Sequence, residues 1–336
     1  MGMEIVNPML NKKLKLILKR LLSSVLVLFL IVTMVFILIR ISPGNPTQKY
    51  ISPKLSPELA EQVRKSFNLD ESIPIQYINF LKNIASGDFG ISYEYRMPVL
   101  KVISEFLPVT LVLAFLSITL QLFLGYYSAL WAIRKKNQFA DKLFRKSSIV
   151  LYVIPGFVLG LILIFIFSVQ LDLLPSNGFK SYYFDELTFF GKIKDIISHL
   201  LLPLLTLSLP GAALFFNYFR DGIEEVMQKD FVFYLKANGV SDKIIFRKHI
   251  LPNSLKPVLS VAGIELGFLL SGTLVTEVIF SLPGMGRLMV ASIFNRDFPL
   301  VIACASISAI FIIFSNFIFD LIKVKIDKRI WKEILS

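Results

Sequence analysis

Six long apolar runs constrain this chain more than any other feature. A helix that crosses the hydrocarbon of a bilayer needs about 20 mainly apolar residues. Stretches near 21–39, 106–133, 147–171, 199–219, 257–281 and 299–322 have that character. Composition agrees: of 336 residues, 55% are hydrophobic, 31 are Phe and only 18% are charged, against about 25% charged in a soluble domain. The first run follows Lys12, Lys13, Lys15, Lys19 and Arg20, as a secretory leader's would. It is longer than the roughly 7–15 apolar residues of a leader and no small-residue cleavage site follows, so it reads as a retained span.

The net charge of +12 is a topology signal rather than a mark of nucleic-acid binding. Lys and Arg concentrate in cytoplasmic segments. Residues 1–20, 134–146, 220–256 and 323–336 carry 23 of them in 84 positions. Residues 40–105, 172–198 and 282–298 carry 13 in 110. The first set therefore reads as cytoplasmic, together with both termini. Three acids, Glu265, Glu277 and Asp320, fall inside apolar runs.

Two connecting segments carry structure of their own. In 40–105, Ser42-Pro43-Gly44-Asn45-Pro46 is a turn cluster. Ser56-Pro57-Glu58 is a helix start leading into a short amphipathic helix over Leu59 to Phe67. A second is expected around Ile75 to Ile84, from apolar residues three and four apart. This segment is expected to cap the outer mouth of the helix bundle. In 220–256, Arg220 to Met227 continues the fourth span. Asp230 is expected to cap a helix over Phe231 to Asn238, and Gly239 to end it with positive φ. Ser241 is expected to cap a second short helix, Asp242 to His249, which Pro252 would stop.

Small residues recur inside the spans at Gly156-x-x-x-Gly160 and Gly263-x-x-x-Gly267-x-x-x-Ser271, a spacing that lets helices approach closely in lipid. Pro155 and Pro210 free backbone carbonyls that need partners within the protein, which hints at a translocation path.

The motifs of soluble chemistry are missing. Gly191-Lys192 is followed by Ile193 and has no Gly five residues earlier, so no phosphate-binding loop forms. Cys304 is the sole cysteine, and His199 and His249 are the only histidines. Neither a disulfide nor a Cys or His metal cluster is available.

Several sequence pieces recur in a known order. Lys19-Arg20-Leu21-Leu22 opens the first span, and Ile39-Arg40-Ile41-Ser42-Pro43-Gly44-Asn45-Pro46 closes it. Then come Asn68-Leu69-Asp70, Gln76-Tyr77, Gly87-Asp88-Phe89-Gly90-Ile91-Ser92-Tyr93 and Pro98-Val99-Leu100. Leu174-Pro175-Ser176-Asn177-Gly178 follows the third span. The most distinctive are Gln228-Lys229-Asp230-Phe231-Val232, Ala237-Asn238-Gly239 and Phe280-Ser281-Leu282-Pro283-Gly284-Met285-Gly286-Arg287. From Lys19 to Trp331 the chain resembles the B-type permease subunits of oligopeptide, dipeptide and nickel ABC importers.

That resemblance implies an all-α membrane protein of the type I ABC importer permease kind, with six transmembrane helices and a long outer segment after the first. It places the family's EAA loop at 220–256. Asp230, Tyr234, Leu235, Ala237, Asn238, Gly239 and Ser241 are then the residues that couple to an ATPase. Leu235 stands where the family commonly has Ala, Asn238 where Lys is common, and Lys328 where Pro precedes Arg329. Glu277 matches an acidic residue at the outer end of the fifth span, with structural pairing, gating or substrate contact as its possible roles. Glu265 departs from the family pattern: it either faces the path and attracts a peptide's ammonium or pairs with a polar neighbour. Pro155 and Gly156 are expected on the path or at its gate.

The implied protein is a transport subunit and not an enzyme. No cofactor binds this chain, and ATP and Mg sit on partner subunits. Its partners would be a second homologous permease, two ATPase subunits, an extracytoplasmic substrate-binding protein and membrane lipid. Its place would be a bacterial or archaeal cytoplasmic (inner) membrane. A nickel or metal-chelate importer permease is one alternative, and a membrane receptor or scaffold without transport is another.

Overall fold

The computed structural model describes residues 8–41, 71–136 and 138–326. Regular structure among them is helical, apart from one isolated antiparallel bridge between Ile91 and Pro98. The turn cluster at 42–46, the helix expected over 59–67 and the closing segment from 327 lie outside the described residues. In chain order the helices are α1 (Pro8–Ile41), α2 (Ile73–Ala85), α3 (Val99–Arg134), α4 (Phe139–Val153) and α5 (Gly156–Ile164). The last runs into a wide π turn, Phe165–Gln170. Then follow α6 (Phe189–Met227), α7 (Asp230–Ala237), α8 (Asp242–Ile245), α9 (Leu251–Ile279), α10 (Met285–Asn295) and α11 (Phe298–Ile326).

Among the described residues, Val99–Arg134, Phe189–Met227, Asp242–Leu270 and Phe298–Lys323 are long and apolar enough to cross a membrane. Leu22–Leu38 is a shorter apolar helix within α1. The third apolar run is not the single span its composition suggests. It divides into Asp141–Val153 and Gly156–Gln170, bent by 102°. Ile154 is extended there (φ −66°, ψ 123°), because a following proline crowds a residue out of the α region.

Two other expectations need correcting. Asp230 does not cap α7: the helix begins on it, and Lys229 is the flanking residue, without a side-chain cap. Pro252 does not stop the second short helix. A π turn over Phe246–Ile250 joins α8 to α9, and the chain stays helical through Pro252. Residues 285–295, counted only within the segment 282–298, form α10.

The helices fall into two compact units. Among the described residues, one comprises 8–41, 71–106 and 288–313; the other, 107–136, 138–287 and 314–326. In the first, α1, α2 and α11 meet at Val32, Phe80 and Ile302. The Phe36 ring lies 5.2 Å from Tyr77 and 5.0 Å from Phe80, and the Thr33 and Tyr77 hydroxyls are 2.7 Å apart. The turn before α3 is pinned by Asp297, whose carboxylate accepts from Ser92 Oγ at 2.5 Å and the Glu94 amide at 3.1 Å. Burial pushes the Asp297 carboxyl up, and these hydrogen bonds partly offset it.

In the second unit α6 is the central element, packed against α9, α4 and α5. Small residues set the close approaches. A Cβ on Gly160 would lie 3.2 Å from Thr206, and one on Gly263 would lie 3.0 Å from Phe319. One apolar core joins Leu113, Leu163, Leu202 and Phe280. Another, at the far end of α6, joins Ile223, Val226, Val232, Ile245 and Ile250.

Candidate functional site

The segment 230–250 is a helical knob seated on the end of α6. The chain reverses after α7 through a Schellman turn: the Val240 amide donates to Leu235 O at 3.1 Å and the Gly239 amide to Lys236 O at 3.0 Å. Gly239 has φ +76°, which L side chains rarely adopt. Lys236 Nζ and Asp242 Oδ1, 3.3 Å apart, close the turn from outside. Leu235 and Val240 pack into the apolar core beneath, with Val232 and Ile245. Ser241 holds the extended position before α8 (ψ 142°) but makes no side-chain cap.

The outer surface of the knob is aromatic. Phe233 is 77% exposed and Tyr234 71%, with Asp230, Ala237 and Asn238 also exposed. Of the expected coupling residues, Leu235 alone turns inward, where it staples the turn. Phe233 went unselected in the sequence. The signal was present: it is an apolar residue on the opposite face from Val232 and Leu235.

Beside the knob, α4 and α6 are joined by buried ions that sequence reading also missed. Asp141 and Arg220 are almost fully buried, with Arg220 Nε 3.2 Å from Asp141 Oδ1. Arg220 Nη1 reaches Glu224 Oε2 at 3.0 Å, and Lys136 also pairs with Glu224. The partners lie 79 residues apart in sequence, so local spacing carries no hint of them.

The α4–α5 break opens a cavity of about 390 Å³, within the range of about 300–1,000 Å³ usual for small-molecule pockets. Pro155 and Gly156 line it from the break, Thr206 and Pro210 from α6, and Glu265 and Phe268 from α9. Behind the wall, Gln121 is wholly buried. Its Nε2 donates to Leu207 O at 3.0 Å, in the turn that Pro210 interrupts. Gly211 makes room for it, since a Cβ there would fall 2.2 Å from Gln121 Cδ.

Glu277 does not line this cavity. It is 0% exposed and ties together the turn after α9. Its Oε1 accepts from Thr110 Oγ1 at 2.6 Å and Thr273 Oγ1 at 2.9 Å. Its Oε2 accepts from the Arg287 amide at 3.0 Å. Thr110 Oγ1 in turn accepts from the Met285 amide at 2.8 Å. The structure thus brings Pro155, Gly156 and Glu265 together and sets Glu277 apart. Among the described residues no group of three His, Cys, Asp or Glu could hold a metal ion.

Known proteins share this architecture. Residues 121–332 match the family described as binding-protein-dependent transport system inner membrane component. Residues 13–114 match the N-terminal part of such membrane components. The chain belongs to this family. It is a multi-pass inner-membrane permease subunit of an ABC importer. It works with ATPase and substrate-binding components, and ATP hydrolysis lies on the separate ATPase subunits. A probable peptide ABC transporter permease, y4tP of Sinorhizobium fredii (strain NBRC 101917 / NGR234), is 31% identical over 315 residues, covering 94% of this chain and 98% of the relative. The glutathione transport system permease GsiC of Escherichia coli (strain K12) shows the same identity and coverage. Two crystallised importers share the fold. An amino acid ABC transporter with histidines aligns at 19% identity and TM-score 0.52, over 67% of this chain and 94% of its own. The MetNI methionine ABC transporter, inward facing, aligns at 16% and 0.52, over 67% and 96%.

Proposed function

We propose that this permease carries peptides inward by alternating access, with six spans and both termini cytoplasmic. It pairs with a second homologous permease and two ATPase subunits, which hold the ATP and Mg, and an extracytoplasmic binding protein feeds it. The envelope is bacterial or archaeal. The observation that carries the substrate class is the likeness, over 94% of the chain, to permeases named for peptide and glutathione transport. Glutathione is itself a tripeptide. The knob at 230–250 docks on an ATPase subunit: two exposed aromatic side chains on a rigid turn suit a pocket on a partner. The apolar core under the knob passes nucleotide-driven movement into α6 and, through the π turn, into α9.

The test is uptake of radiolabelled tri-alanine into liposomes holding the assembled transporter. Uptake should require both ATP and the binding protein. Transport that proceeds without ATP, or no accumulation at all, would remove this reading.

A further inference from the structure

We infer that Glu265 receives the ammonium group of a peptide's amino terminus as the peptide passes the cavity at the α4–α5 break. The inference rests on the peptide reading and names the side chain that recognises the cargo.

The cavity wall is mostly apolar, and Glu265 is the one acidic or basic side chain among the described residues that line it. A carboxylate in a membrane interior is costly, and it faces a bundle interior or a cavity and takes a partner. The partner on the page is neutral. The Gln121 amide lies beside Glu265 but brings no charge. The α4–α5 break contributes both the last carbonyls of α4 and the first amides of α5, so its helix-end charges oppose each other. The carboxylate therefore sets the sign of the site, and a low-dielectric wall strengthens its pull on a cation. An ammonium, with three donors and a positive charge, matches a lone carboxylate in such a wall. Gln121, fixed by Leu207 O and by the space at Gly211, backs the wall beside Glu265.

A Cβ on Gly156 would meet nothing within 4 Å, so Gly156→Cys places a thiol in the cavity at no steric cost. The native Cys304 is buried. In the assembled transporter, alkylation of Gly156→Cys by a thiol reagent is followed by mass spectrometry of this chain, with and without tri-alanine. Tri-alanine should slow alkylation, and N-acetyl-tri-alanine should need at least tenfold higher concentration. Adding Glu265→Gln, which keeps the shape and an acceptor for Gln121, should raise the tri-alanine requirement at least tenfold and leave the acetylated peptide unchanged. Glu265→Asp should fall between. Equal protection by both peptides, no protection, or no effect of Glu265→Gln overturns the inference. If tri-alanine uptake persists in that case, only the role of Glu265 falls. If uptake is also absent, the peptide reading falls with it.

Discussion

Glu277 carries three hydrogen bonds on two oxygens inside a fully buried setting, and the chain around it leaves no slack. A Cβ on Gly284 would come 2.1 Å from its carboxyl carbon. Glu277→Ala strands two threonine hydroxyls and the Arg287 amide, which should cost at least about 3 kcal/mol. Glu277→Gln keeps the oxygen facing the threonines but turns an NH₂ toward the Arg287 N–H, for about 1–3 kcal/mol. Thermal unfolding in detergent should rank wild type above Gln above Ala; an Ala variant as stable as wild type would show that the carboxylate ties nothing down. Gly239 offers a different experiment, because a side chain there meets open space and only its φ of +76° resists substitution. Alanine should cost about 1–2 kcal/mol, asparagine less and valine more. Co-purification with the ATPase and ATP-driven uptake should fall in the order Asn, Ala, Val, with membrane insertion unchanged. The requirement at Gly239 is legible in sequence because a helix-ending glycine is a local signal. The inward turn of Leu235 and the outward turn of Phe233 are not, since both are apolar residues in a short amphipathic helix. Only the packing against Val226 and Ile245 decides which one is buried.

Helices were legible wherever apolar length or period was strong, and their ends were not. α3 begins at Val99 and α6 at Phe189, seven and ten residues before the apolar runs suggest, because polar residues extend a helix without extending its hydropathy. The break in the third run lies beyond a hydropathy window altogether, since Ile154-Pro155 is apolar and only backbone sterics mark it. The break has a measurable consequence. Ile149 and Ile162 are both exposed and would lie about 20 Å apart along a straight helix. Spin labels there should report a shorter distance in wild type. Pro155→Ala releases Ile154 to helical dihedrals and should move part of the population toward 20 Å. A distance near 20 Å in wild type would mean the run is one straight span. The α4–α6 contact has its own test. Asp141→Ala deprives buried Arg220 of one carboxylate and leaves it Glu224 and Asp221, so the loss should be about 1.5–3 kcal/mol, seen as earlier unfolding.

At the scale of the whole molecule, the proposed topology decides where energy enters. The segments richest in Lys and Arg include 220–256, the same stretch that folds into a knob with exposed Phe233 and Tyr234. If these segments are cytoplasmic, the knob meets the compartment that holds ATP, and 172–198 meets the opposite side. Single cysteines at Lys180 and Lys328 therefore label from opposite faces of sealed vesicles; labelling from one face would break the six-span topology and separate the knob from any cytoplasmic ATPase. The same arrangement requires the nucleotide to stay off this chain, which has no phosphate-binding loop. The purified subunit alone should give no saturable binding of labelled ATP, and the assembled transporter should bind it with a stoichiometry set by the ATPase subunits. Saturable binding by the isolated subunit would place an energy-coupling site inside this chain. The knob would then lose its reason to present two aromatic rings to solvent.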